Sequence, residues 1–283
     1  LKKYDGAIKS YDEAIKIDPF YADAHLNKGS ALQENGELDG AIACFNKTLV
    51  INPQHPFAFF NMGNALTEKG ELDLALGSYK NALKIQPKNA EIFFNMGNIF
   101  KKMSEFDEAL DCYRKALTIK PNHADVHLNM GIALENMHNL DGAVKSYSKA
   151  LKINPDYAEA CSNMGTAYNK KGDIDAAIRS FQQAIKINPN YAPAYHNMGK
   201  VHEIKGELKD AIKYYKQAIK VKPNYAIAIS DLSYMINFHG LLDSQERFSL
   251  ICTHVHGLEA PLALKKYHFE NLRDPDKNLH IGF

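Results

Sequence analysis

The sequence predicts an all-α solenoid of stacked helix-turn-helix units, and three observations predict it. The hexamer FFNMGN stands at residues 59–64 and again, unchanged, at 93–98, a spacing of 34 residues. Self-similarity at a fixed period of this size marks a repeat architecture. Set on that period, the chain gives six full units, 22–55, 56–89, 90–123, 124–157, 158–191 and 192–225, preceded by half a unit at 1–21. Within the unit, four positions keep their character throughout. Position 8 is Gly29, Gly63, Gly97, Gly131, Gly165 and Gly199, and position 20 is Ala41, Ala75, Ala109, Ala143, Ala177 and Ala211. Position 24 is aromatic (Phe45, Tyr79, Tyr113, Tyr147, Phe181, Tyr215), and position 32 is Pro53, Pro87, Pro121, Pro155, Pro189 and Pro223. The half unit conforms, with Ala7, Tyr11, Ala14 and Pro19.

Each unit reads as a first helix, a tight turn and a second helix. A glycine inside a helix costs about 1 kcal/mol relative to alanine, so six of them at position 8 require an offset. The expectation is close approach: with no side chain at position 8 and only methyl groups at 20 and 27, the two helix backbones come together there. Gly36, Gly70, Gly172 and Gly206 mark the turn. The proline closes the second helix, because it cannot continue the hydrogen-bond ladder. One hairpin cannot bury its own apolar face, so neighbours stack into a quasi-one-dimensional array.

This pattern, Gly at 8, Ala at 20, an aromatic at 24, Ala at 27 and Pro at 32, resembles the tetratricopeptide repeat across residues 1–225. The resemblance implies a right-handed superhelix of hairpins that serves protein interactions. It does not imply a reaction, since one fold hosts many functions.

Position 6 is a second column: Asn27, Asn61, Asn95, Asn129, Asn163 and Asn197, continued by Asp231 in a degenerate seventh unit. At about 100° per residue, positions 4, 8 and 11 lie on the opposite side of the first helix. The asparagines therefore face away from the partner helix, towards a concave wall. An amide offers donors and an acceptor, enough to grip an extended peptide backbone whatever its side chains. Packed helices lie about 8–10 Å apart, so six rungs span about 40–50 Å, room for some 12–15 extended residues. Donor and acceptor satisfaction explains equally well a bond to an adjacent helix, and both roles stand at this stage. Position 5 runs from Leu26, Phe60, Phe94 and Leu128 to Ser162 and His196, which suggests an apolar-sided groove near the N-terminal end. Position 9 supplies one cation, Lys200, which argues against a clamp for a C-terminal carboxylate.

Composition narrows the partners. A formal net charge of +1 gives no electrostatic case for nucleic acid or an acidic membrane. No apolar run reaches the length of a membrane span. Cys44, Cys112, Cys161 and Cys252 form no CxxC pair and read as reduced thiols of a cytoplasmic protein. His25 and His127, at position 4, read as packed between helices. His254 and His256, two apart, do not chelate from a helix. Asp274-Pro275-Asp276 reads as a linker turn rather than a metal site. No nucleotide, metalloprotease or hydrolase motif is present. The expectation is thus no cofactor, no metal and no catalytic residue within this chain, with extended polypeptide as the partner.

Residues 226–283 depart from the repeat: positions 20, 24 and 32 of the seventh unit are Gln245, Ser249 and Gly257. A degenerate terminal repeat is expected to act as a helical cap. Beyond it, EAPLAL (259–264) and ENLRDPDKNLHIGF (270–283) resemble the junction between repeats and catalytic domain in the O-linked N-acetylglucosamine transferase family, especially its bacterial relatives. Leu279, Ile281 and Phe283 alternate as a strand would. The resemblance implies that the solenoid recognises substrates for a protein glycosyltransferase whose catalytic domain follows. The alternative is a free-standing tetratricopeptide scaffold or adaptor.

Overall fold

A computed structural model describes residues 2–239, with side chains from residue 4 to 236. The expected cap, linker and strand beyond His239, with Cys252, His254 and His256, lie outside the described residues. The half unit is α1 (Lys2–Ile17). The first helices of successive units are α2 (Ala22–Glu34), α4 (Ala58–Lys69), α6 (Ala90–Lys102), α8 (Ala124–Asn136), α10 (Ala158–Lys171), α12 (Ala192–Ile204) and α14 (Ala226–His239). Their second helices are α3 (Leu38–Ile51), α5 (Leu72–Ile85), α7 (Phe106–Ile119), α9 (Leu140–Ile153), α11 (Ile174–Ile187) and α13 (Leu208–Val221). The described residues are all-helical, with consecutive helices packed in pairs, as the 34-residue period predicts. None of these helices is long and apolar enough to cross a membrane. The chain divides into two compact units, Leu1–Asn197 and Met198–Phe283.

The turn inside each hairpin is a helix C-terminal motif with a left-handed residue at position 15. Gly36, Gly70, Gly172 and Gly206 have φ of 76–88°. In the third and fourth units the same place is filled by Ser104 (φ 63°) and His138 (φ 59°), which the glycine pattern alone did not reveal. The next residue then turns its N–H back to the carbonyl of position 11. That bond recurs in every unit: Glu37 to Leu32, Glu71 to Leu66, Glu105 to Phe100, Asn139 to Leu134, Asp173 to Tyr168 and Glu207 to His202, at 2.9–3.0 Å. It satisfies a carbonyl that a helix end otherwise orphans. Asn139 and Asp173 cap the second helix from the following position, accepting from the N–H of Gly142 and Ala176.

The close approach at position 8 is real, but its partner is a ring rather than a backbone. A Cβ added to Gly97 would lie 2.5 Å from Cε1 of Tyr113, and the other five glycines face the position-24 ring of their own unit at 2.4–2.6 Å. None of the six rings is more than 1% exposed. The alanines at position 20 are fully buried beside them. Position 27 departs from the all-methyl expectation once: buried Thr48 satisfies its hydroxyl by donating to the carbonyl of Cys44 at 3.0 Å.

Units join through the proline turn. Asp18, Asn52, Asn154 and Asn188, each just before a proline, accept the N–H two residues on at 2.9–3.2 Å. Position 4 of the following helix reaches back to that proline's carbonyl, His25 Nε2 to Pro19 and Tyr195 Oη to Pro189, both at 3.1 Å. The position-4 histidines are therefore packed between helices, as expected, and also tie one unit to the next.

A β-carbon in the left-handed region costs roughly 1–2 kcal/mol, partly offset by the greater freedom that glycine has when unfolded. Ser104→Gly and His138→Gly should each raise stability by about 1 kcal/mol, read as a higher urea midpoint with unchanged slope.

Candidate functional site

The asparagine column lies along one face of the first helices of the Leu1–Asn197 unit, and its amides form rungs between neighbours. Asn61 Nδ2 donates to Ser30 Oγ at 3.3 Å and Asn95 Nδ2 to Asn64 Oδ1 at 3.1 Å. Asn197 Nδ2 lies 3.4 Å from Thr166 Oγ1 and from Ser162 Oγ. Ser30, Asn64 and Thr166 all occupy position 9 of the preceding unit, so the rung runs from position 6 to position 9. In the Met198–Phe283 unit the same pair occurs as charges, Asp231 Oδ2 with Lys200 Nζ at 3.7 Å. Lys200 also meets Glu203 at 3.3 Å, so the lone position-9 cation is already engaged.

Three asparagines depart from this scheme, two of them for a visible reason. Position 9 of the fourth unit is Ile132, which offers no acceptor, and Asn163 makes no side-chain hydrogen bond among the described residues. Asn27 has no preceding first helix among them to bond; it too makes no such bond, and it is exposed. Asn129 bonds its own helix, Nδ2 to the carbonyl of Asp125 at 2.8 Å, while its Oδ1 accepts from Lys101 Nζ. Lys101, at position 12, is a cation on this wall that reading position 9 alone passed over. Burial pulls its pKa below the ordinary lysine value, opposed by the nearby Glu159 carboxylate.

Of the two roles expected of the asparagines, the bond to an adjacent helix is the one seen here. The NH2 groups of Asn61, Asn95 and Asn197 are used between helices, while their carbonyl oxygens accept no hydrogen bond within the described residues. Position 5 is less of a groove wall than expected. Leu26 and Leu128 are buried, and the half-buried Phe60 and Phe94 pack on the core at 6.1 and 6.2 Å from the rings of Tyr79 and Tyr113. Leu26 and Leu128 likewise share a core cluster with the position-24 ring of their own unit, Phe45 and Tyr147.

The buried tyrosines connect that core to the wall. Tyr79 donates to Asn64 Oδ1 at 2.6 Å and Tyr113 to Asn98 Oδ1 at 2.9 Å, both acceptors at position 9. Tyr147 donates to Glu135 at 2.8 Å and Tyr215 to Glu203 at 2.6 Å, both acceptors at position 12. Units with Phe45 or Phe181 carry Ser30 or Thr166 at position 9, and these hydroxyls bond their own helix. Each of the four tyrosines thus has an acceptor on the first helix, whereas the Phe181 unit lacks the donor and leaves Asn169 Oδ1, at position 12, buried without a partner.

Reactive chemistry elsewhere among the described residues is limited. Cys112 is pushed up to about 11 by burial, and burial likewise raises Cys44 and Cys161, so all three are thiols near neutrality. His202, Glu207 and Asp210 bring donor atoms within 4.8 Å of one another, the group among the described residues nearest to a metal site. Lys205 already holds Glu207 at 2.7 Å and His202 Nδ1 lies 2.6 Å from the same carboxylate, so positive charge stands where an ion would.

Family comparisons agree with this architecture. A profile described as TPR repeat matches residues 1–36, 63–104, 139–172 and 165–203. Two described as Tetratricopeptide repeat match 22–55, 90–123 and 192–225, and 112–145. Three of these segments coincide with units set by the 34-residue period. The chain belongs to the tetratricopeptide-repeat family, a class of protein-binding scaffold. No curated protein matches it. Among solved structures, MamA is similar at 27% identity and a TM-score of 0.53, over 58% of this chain and 96% of that one. YrrB, described as a TPR protein with an unusual peptide-binding site, is similar at 24% identity and a TM-score of 0.56, over 67% of this chain and 97% of that one. Pseudomonas aeruginosa pilF gives 20% identity and a TM-score of 0.62, over 77% and 96%. At such identities the last two speak for the fold alone.

The buried hydroxyls give a pH signature. Desolvation raises Tyr79, Tyr113, Tyr147 and Tyr215 above the ordinary phenol value, and the carboxylates beside Tyr147 and Tyr215 push the same way. Unfolded tyrosine ionises near pH ~10. A folded pKa above that value gives stability that is complete below pH ~10 and falls as pH rises further, by up to about 1.4 kcal/mol per unit for each tyrosine. Tyr113→Phe should cost about 1 kcal/mol at pH ~9 through the lost bond to Asn98, then gain on the wild type as pH rises. Urea midpoints between pH ~9 and ~11 read the difference; parallel curves would mean that Tyr113 does not titrate on unfolding.

Proposed function

We propose that the asparagine face of the Leu1–Asn197 unit binds an extended segment of polypeptide, chiefly through its backbone. The observation that carries this is a row of amides with capacity to spare. Asn61, Asn95 and Asn197 are fixed in rotamer by their own NH2 rungs and keep a carbonyl oxygen unengaged. Asn27 and Asn163 hold whole amides in reserve, and Asn129 shares its oxygen with Lys101. An extended chain offers N–H and C=O groups along one edge, and side chains ordered in advance lose less entropy on binding. Backbone contact carries little sequence preference. Each net bond contributes only about 0.5–1.5 kcal/mol, which keeps the affinity modest.

Rungs and reserve amides can be separated by mutation. Asn27→Ala with Asn163→Ala should leave the melting temperature within about 1 °C, since no bond within the protein is lost and alanine is the better helix former. The same variant should weaken two dissimilar extended peptides by similar factors, about fivefold or more. Asn61→Ala with Asn95→Ala, by contrast, should lower stability by about 1–2 kcal/mol. Unchanged affinity in the first variant would remove the peptide role and leave only the ladder.

A finer reading rests on the tail motif. The segments at 259–264 and 270–283, following an asparagine column of this kind, favour a solenoid that presents protein substrates to a glycosyltransferase domain, with repeats at 1–225 and a cap and linker at 226–283. The gene sequence downstream of Phe283 decides it. A nucleotide-sugar-binding domain there supports this reading, and a stop codon leaves the free-standing scaffold.

A further inference from the structure

The second full unit opens unlike the other five. Position 1 is Pro56, where the other full units carry alanine, and position 2 is Phe57, where they carry Asp23, Glu91, Asp125, Glu159 and Pro193. Phe57 is 54% exposed, so a large apolar side chain stands in water at a place that four units give to a carboxylate.

The ring is also braced. Proline has no N–H to offer, and α4 begins only at Ala58, which leaves Phe57 in the turn before it. The N–H of Phe57 donates to His55 Nδ1 at 3.4 Å, and its carbonyl accepts from the N–H of Asn61 at 2.9 Å. A backbone N–H can only donate, so Nδ1 is the acceptor and Nε2 the donor that reaches Asp23 Oδ1 on α2 at 3.0 Å. The imidazole is 5% exposed and meets the Phe57 ring edge-on, with centroids 6.4 Å apart. A buried histidine tied to the neighbouring helix thus supports an exposed aromatic. A ring ordered in this way loses little freedom when a ligand covers it.

Its location gives the support a use. Phe57 and Asn61 lie one turn apart on α4, as Asp23 and Asn27 do on α2, and residues four apart share a helix face. The Asn61 rung to Ser30 and the His55 tie to Asp23 join the two helices on either side of Asn27. The reserve amide of Asn27, the unengaged oxygen of Asn61 and the Phe57 ring therefore share one patch of the asparagine face. A helical turn rises about 5.4 Å, within reach of a leucine, methionine or phenylalanine side chain whose backbone is held at Asn61. The carboxylate of Asp23 recurs at position 2 elsewhere and already holds His55; the ring is what distinguishes this unit among the full ones. Building on the peptide reading of the asparagine face, we propose that Phe57 selects its ligand: the bound segment carries a large apolar side chain that covers this ring and sets the register of the segment along the amides.

Fluorescence anisotropy of the 283-residue chain tests this with three labelled peptides. One is an extended serine–threonine peptide of about 13 residues with a central leucine, and its twins carry serine or arginine there. The wild type should bind the leucine peptide about fivefold or more tighter than either twin. Phe57→Glu reproduces position 2 of the units with Glu91 and Glu159, so the fold should accept it, as a melting curve checks. It should bring the leucine and serine peptides within about twofold of each other, whereas Phe57→Leu should keep the preference. Leucine and serine peptides that bind the wild type alike overturn the inference and leave the backbone reading standing. An arginine twin that matches leucine, or a preference that survives Phe57→Glu, overturns it as well. The backbone reading fails on its own if the serine peptide binds the Asn27→Ala, Asn163→Ala variant as tightly as the wild type. Absence of binding by all three peptides overturns both.

Discussion

The seat of the position-24 ring against the position-8 glycine is the contact on which the hairpins depend. A buried aromatic removes about 150–250 Å² from water, worth about 4–6 kcal/mol by area. The helical glycine that makes room costs about 1 kcal/mol, so the exchange favours the gap. Tyr79, Tyr113, Tyr147 and Tyr215 gain more than area, since the gap lets each hydroxyl reach an acceptor on the first helix. The fully buried alanines at position 20 follow from the same packing, as anything larger would displace the ring.

Through that contact the interior of each hairpin governs its outer wall. Asn64 receives the hydroxyl of Tyr79 and the amide of Asn95 on one oxygen, so core, wall and neighbouring unit meet at a single atom. A side chain held from two sides has few rotamers left to lose on binding. The wall is therefore ordered before any ligand arrives, and the proposed peptide contact exploits that order. Variation between units then sets local character: Ile132 breaks the ladder above Asn163, and Lys101 brings a half-buried cation to Asn129.

The repeat, its helices, the proline turns and the family were legible in the sequence, because each depends on a residue type that has few substitutes at its position. The left-handed turns at Ser104 and His138 were not, since neither residue announces a positive φ as glycine does. Nor was the identity of the close partner at position 8, because a gap is equally consistent with a backbone or a ring on the far side. The asparagines were legible as a column, with a bond to an adjacent helix as one of two roles, but the partner of each rung was not. Their role depends on position 9 of the unit before, a relation visible only once neighbouring helices are set side by side.

A double-mutant cycle on Gly97 and Tyr113 tests the central contact most directly. In the wild-type background Gly97→Ala places a methyl carbon 2.5 Å from the tyrosine ring and should destabilise by about 1–3 kcal/mol. In a Tyr113→Leu background the ring is gone, and the same change should be neutral or stabilising by up to about 1 kcal/mol through helix propensity. The coupling between the two changes should therefore reach about 1–3 kcal/mol. An effect of Gly97→Ala that is the same in both backgrounds would contradict the account.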